Sequence, residues 1–327
     1  MIRIRISRML PCFSLIVAVM LSLFLGAQKL PPDEIFTMGT VANTIFFNLR
    51  FPRTLLCIIA GCMLGGSGAI FQMFFRNPLA EPGILGISAG STLGAVLSVC
   101  LLPFLGAVGL SMLNAGAFLG AVLSGMIICT LAAGRKSSGQ SVLLLCGVSL
   151  GTLYSAIASI VLSLKSENIS TMYMWMLGSF NGRGWKEFYF IIPVSVVACL
   201  LFMIVSGRLD LLCCGEQTAV SLGVKYSSLR VQILIAGSLA TSAAVCAGGT
   251  IGFVGLIAPH IVRKIYGVRA RILIPLSTVT GAVIMLLSDT LCRCVIPPRE
   301  IPIGTVTAVL GVPFFVSLLR SSKRGAE

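Results

Sequence analysis

Apolar residues run along this chain in long blocks, and polar breaks divide them into ten segments near 10–28, 54–75, 88–106, 114–133, 141–164, 188–206, 230–247, 252–263, 272–292 and 303–319. A helix of roughly 20 apolar residues matches the hydrocarbon thickness of a bilayer, so most of these blocks predict membrane-spanning helices. The longest interval without charge covers residues 82 to 134, 53 positions. That exceeds one span and predicts two helices, with a turn bracketed by Pro103 and Asn114. The eighth block is too short to cross alone. It predicts a broken or partly re-entrant helix buried among others, and 171–180, which contains Met and Trp, is a second segment of this kind.

Composition leads to the same place independently, because 57% hydrophobic and 10% charged residues with a mean hydropathy of +1.02 leave too little polar surface for a globule in water. The expected fold class is an all-α, polytopic membrane protein of about ten helices, forming one domain over residues 1–327. Arg3, Arg5 and Arg8 before the first block imitate a secretory signal, but its apolar core is longer than the roughly 7–15 residues of a signal. A retained helix is expected, starting in the cytoplasm. Ten spans then return the C-terminus to the cytoplasm as well. This places sixteen of the 24 Lys and Arg residues inside and eight outside, as the positive-inside rule requires. The net charge of +14 follows from topology and calls for no nucleic-acid partner.

Glycines four apart (Gly61 and Gly65; Gly86, Gly90 and Gly94; Gly116 and Gly120; Gly147 and Gly151) predict helix faces that admit a neighbouring backbone closely within the chain. The twelve cysteines lie mostly singly in apolar blocks, where they act as small hydrophobes, and no metal-ligand spacing is present. Gly86-Ile87-Ser88-Ala89-Gly90 matches the G-x-S-x-G pattern of serine hydrolases, with His260 and Asp289 as the available base and acid. It lacks the strand-to-helix setting that such a nucleophile needs. An ion-coupled secondary transporter is the other alternative, but it would place ionisable groups at membrane depth, and the blocks hold almost none. No phosphate-binding G-x-x-x-x-G-K-[ST] loop is present, so the energy for transport must come from another subunit. The longest inside loop, 206–230, contains an octet bracketed by Gly215 and Gly223 with mixed polar and apolar faces. This predicts a short helix in which Glu216 opens the first turn while Ala219 and Leu222 share a face.

Three stretches carry a resemblance: Arg50-Phe51-Pro52-Arg53-Thr54, Arg76-Asn77-Pro78-Leu79-Ala80-Glu81-Pro82-Gly83, and Gly252-Phe253-Val254-Gly255-Leu256-Ile257-Ala258-Pro259-His260. Together they resemble the permease subunits of ABC importers for iron-siderophores, haem and vitamin B12, over about 50–319. The resemblance implies that helices two to five and seven to ten are inverted repeats and that a second permease copy completes the pore. It also implies cytoplasmic ATPase subunits that carry the ATP and Mg, with no cofactor or metal on this chain. The loop Gly215, Glu216, Gln217, Thr218, Ala219, Ser221, Leu222 and Gly223 would be the ATPase-coupling segment. Arg50, Arg53 and Arg293 would face outward to dock a periplasmic or lipid-anchored substrate-binding protein. Gln140 and Ser141 would narrow the cytoplasmic exit. Alternating access in the cytoplasmic membrane is the implied mechanism, with no catalytic residue on this chain.

Overall fold

The computed structural model describes residues 2–101, 110–133, 140–165 and 169–324, and every regular element among them is helical. In chain order these are α1 (Ile2–Phe24), α2 (Pro32–Ile35), α3 (Val41–Thr44), α4 (Phe51–Phe74), α5 (Ile87–Leu101), α6 (Leu110–Ala133) and α7 (Gln140–Leu164). Then follow α8 (Ile169–Met176), α9 (Trp185–Cys213), α10 (Glu216–Ser221), α11 (Tyr226–Gly248), α12 (Val254–Tyr266), α13 (Ala270–Cys294) and α14 (Ile303–Arg324).

Each of the ten apolar blocks falls on one of these helices. Among the described residues six segments are long and apolar enough to cross a membrane, namely Val41–Phe74, most of α6 and α7, and the whole of α9, α11 and α13, while α1, α5 and α14 contribute shorter apolar stretches. The eighth block becomes α12, only 13 residues long. The second block begins earlier than its apolar pattern suggests, because a wider turn at Ile45–Arg50 continues α3 into α4 without a break. Of the expected turn at 103–114, residues 102–109 lie outside the described residues, and Asn114 stands within α6, buried.

The centre of the bundle is α4 against α11, with α13 packed along α4 and α6 along α11. About 78% of the apolar window of α4 and of α11 is buried, against 11% for α7. The glycine spacing explains the close fit. A Cβ on Gly61 or Gly65 of α4 would strike backbone atoms of α13 at Gly281 and Ser277, and one on Gly94 or Gly120 would strike the facing α6 or α5 backbone. The small-residue faces therefore seat helices within the chain, where close backbone approach maximises dispersion contact in lipid.

The packing repeats itself between the two halves. α4 packs on α12 and α13, and α11 packs on α5 and α6; α5 lies on α6 as α12 lies on α13. The second helix of each half follows a left-handed residue, Gly86 (φ 72) before α5 and Phe253 (φ 69) before α12. This matches the expected repeat for the first three helices of each half, α4–α6 and α11–α13, whereas α7 packs along α5 far more extensively than α14 packs along α12.

Candidate functional site

Two clusters at opposite ends of the bundle carry the residues singled out by sequence. At one end α9 finishes at Cys213, and Gly215 turns the chain with φ 122, a conformation that only glycine adopts readily. α10 then makes six residues and ends at Ser221, and Gly223, φ 85, turns the chain away just beyond its cap. Its end is a Schellman motif: the Val224 N–H donates to the Ala219 carbonyl (3.0 Å), and the Gly223 N–H donates to the Val220 carbonyl (2.9 Å). The apolar contact that accompanies such a motif is present in kind, since Val224 and Ala219 are both buried in the core.

This geometry corrects the face expected from spacing. Ala219 is 2% exposed and anchors α10 to the protein, whereas Leu222 is 60% exposed and lies beyond the last helical residue. The helix ends too soon for positions i+3 and i+6 to share a face. The outward surface is formed by Glu216, Gln217, Thr218, Ser221 and Leu222 together with Val220, 55% exposed, which the sequence reading passed over. Only the observed register distinguishes Val220 from Ala219. Around α10 the same end of the bundle exposes Arg208, Lys225, Lys264, Arg269 and Arg271.

At the opposite end lie the three arginines, and here too the expectation is corrected. Arg50, Arg53 and Arg293 are not free cations on the surface. Arg53 donates to Asp289 (2.8 Å) and, through two nitrogens, to Glu300 (both 2.9 Å). Arg293 pairs with the second oxygen of Asp289 at 3.0 Å and donates to the Ser22 carbonyl and hydroxyl, both at 3.1 Å. Asp289 is 1% exposed. A charge buried to that degree is tolerated only with opposite charges and donors around it, and two guanidinium groups supply them.

Arg50 differs. Its guanidinium donates to the carbonyls of Leu23, Phe24 and Gln28 and, among the described residues, has no carboxylate partner. Arg183, which was not selected from the sequence, behaves likewise. It donates to Asn114 Oδ1 and to the carbonyls of Ser179 and Cys246, and burial pulls its pKa down to about 10. Arg50, Arg53, Arg183, Arg293 and Glu300 line one cleft of about 230 Å³. With Asp289 behind it, the cleft holds four cations against two anions.

Gln140 and Ser141 open α7 as expected, but their side chains and the 134–139 loop lie outside the described residues. The hydrolase arrangement is not assembled. Asp289 is engaged by Arg53 and Arg293, the His260 ring meets Phe314 edge-on at 5.6 Å, and no hydrogen bond joins either to Ser88 among the described residues.

The FecCD transport family matches residues 14–321. An ABC transporter permease of Bacillus subtilis, YvrB, is 35% identical over 96% of this chain and 93% of its own length. The iron(III) dicitrate permease FecD of Escherichia coli is 33% identical (92% and 93%), and the vitamin B12 permease BtuC of Klebsiella pneumoniae is 36% identical (95% and 92%). A solved inward-facing ABC transporter, provisionally assigned to the metal-chelate type, superposes with a TM-score of 0.86 at 29% identity, covering 96% of this chain and 99% of the other. With ten helical blocks in a matching fold and relatives aligned over nearly their whole length, this chain belongs to the FecCD transport family of ABC transporter permeases.

Proposed function

We propose that this chain imports an iron chelate or a cobalamin, in a complex of two permease copies, separate ATPase subunits that bind ATP and Mg, and a substrate-binding protein. The observation that carries this reading is α10, a six-residue helix held between two glycines of positive φ, anchored by Ala219 and presenting Val220 and Leu222 to solvent. Exposed apolar side chains on a rigid, polar-rimmed helix suit insertion into a protein cleft. The exposed cations around α10 favour this end as the cytoplasmic one, with both termini inside. Gln140 and Ser141, at the start of α7, would then border the exit on that side. The sparsely buried α7 leaves a face for the second copy and for lipid.

The test is Val220→Asp combined with Leu222→Asp in the assembled transporter. Placing carboxylates in the contact should lower co-purification of the ATPase subunits at least roughly 10-fold, as expected when hot-spot residues are lost. Both positions are exposed, so membrane insertion should be unchanged. Undiminished co-purification would show that α10 is not the contact.

At the opposite end, the reading of Arg50, Arg53 and Arg293 as a docking site takes the form of the cleft. Arg53 and Arg293 are held by Asp289, so an acidic side chain of the binding protein would meet Arg50 and Arg183, the two guanidiniums of the cleft that have no ion-paired carboxylate among the described residues. Arg50→Gln should weaken association of the binding protein by roughly 10-fold at low ionic strength, the scale of one close charge pair. The difference should shrink as salt shortens the Debye length. Equal affinity of the two proteins at low salt would remove Arg50 from the docking site.

A further inference from the structure

The end of α4 is built against local preference. Phe75 caps the helix, the Asn77 N–H donates to the Gln72 carbonyl (3.2 Å), and the Arg76 N–H donates to the Met73 carbonyl (3.3 Å), a second Schellman motif. The left-handed position of that motif favours glycine, but Arg76 occupies it with φ 48. A strained arginine in an exposed loop points to a use for its side chain. The guanidinium donates to the Leu212 carbonyl at 2.7 Å, in the last turn of α9, three residues before Gly215 and α10.

A second fastening lies beside it. Asp210 Oδ1 accepts the Ala270 N–H at 2.5 Å, which satisfies one of the open donors at the start of α13. The last turn of α4 is also tied to α12, since Gln72 donates to the Gly255 carbonyl (3.1 Å) and accepts from Arg263 (3.1 Å). α4 itself runs about 36 Å at 1.5 Å per residue. It carries Arg53 of the arginine cleft near one end and, just past the other, Arg76.

We infer that Arg76 is a positioning residue that fastens the seat of α10 to α4, so that a displacement at the ATPase contact is delivered to α4 and through it to the arginine cleft. The inference rests on α10 being the ATPase contact. Without the Arg76 bond, the 209–215 segment would keep its core packing and the Asp210 tie to α13 but lose its direct hydrogen bond to the end of α4, so that movement of α10 would be partly absorbed by bending there. The same bond, read in the other direction, carries the effect of a docked binding protein back to the ATPase contact.

The assembled transporter in liposomes supplies the test, with ATP hydrolysis measured with and without the binding protein. Arg76→Gly relieves the left-handed strain and removes the guanidinium. The expected result is an unchanged or raised thermal midpoint, retained ATPase subunits and unchanged basal hydrolysis, with stimulation by the binding protein reduced roughly 10-fold. Arg76→Lys, which keeps a cationic donor, should recover a large part of the stimulation. A purely structural role predicts the opposite ranking, because Gly is the better residue for this backbone. Full stimulation in Arg76→Gly overturns the inference. So does loss of the ATPase subunits from Arg76→Gly, which would make Arg76 a direct contact. Failure of α10 as the contact is read separately, from retention of the ATPase by the Val220→Asp, Leu222→Asp protein.

Discussion

Replacing Asp289 by alanine should destabilise the protein by about 3–5 kcal/mol, the range for removing one partner of a buried ion pair. The cost arises from what is left behind. Arg53 and Arg293 approach the same carboxylate from both sides at 2.8 and 3.0 Å, and with it gone Arg293 keeps only the oxygens of Ser22 and its own helix. An uncompensated guanidinium in this setting has little access to bulk water, the Arg293 side chain being only 6% exposed. A loss of that size is a large share of a typical stability of about 5–15 kcal/mol, so a sharp fall in the yield of monodisperse protein in detergent is expected. Glu300→Ala is the control. Glu300 also pairs with Arg53, but its side chain is 23% exposed, and water can replace it at a cost of about 1 kcal/mol or less. Equal thermal midpoints for the two variants would mean that burial does not rank these pairs.

The same cluster marks the boundary of what the sequence could reveal. Apolar blocks give the helices because bilayer thickness fixes a minimum length, and that constraint is local in the chain. The pairing of Arg53 with Asp289 joins residues 236 positions apart, and no property of either local segment announces it. Arginines at the ends of apolar blocks therefore looked like free cations. Arg183 was invisible for the same reason, because its partners come from α6 and α11. At α10 the flanking glycines were readable, since positive φ leaves a mark in residue type. The inward turn of Ala219 was not, because it depends on the helix stopping at Ser221. Arg76 was legible only as a motif residue, and its strain appears once the backbone is known.

The glycine faces at Gly61 and Gly65, by contrast, were readable, but the other large expected effect lies at Gly68 on the same helix, which has no glycine four residues away to mark it. A methyl group there would meet the carbonyl oxygen, carbonyl carbon and Cα of Gly255, all of them backbone of α12. Overpacking a core costs about 1–3 kcal/mol when side chains can adjust. Here no side chain stands in the way to move, so the cost of Gly68→Ala should reach or pass the upper end of that range. Separation of α4 from α12 would also stretch the bond from Gln72 to the Gly255 carbonyl, one turn further along. Gly151→Ala makes the same chemical change on α7, where the nearest atom to the new methyl group, Gly86 Cα, is 3.4 Å away, an ordinary contact. Helix propensity favours alanine over glycine by up to about 1 kcal/mol, so Gly151→Ala should be neutral or stabilising. Thermal midpoints of the two purified variants should therefore move in opposite directions or differ widely. If Gly68→Ala were tolerated as well as Gly151→Ala, the close α4–α12 crossing would not exist in the folded protein, and the transmission from Arg76 through the last turns of α4 would lose its rigid support.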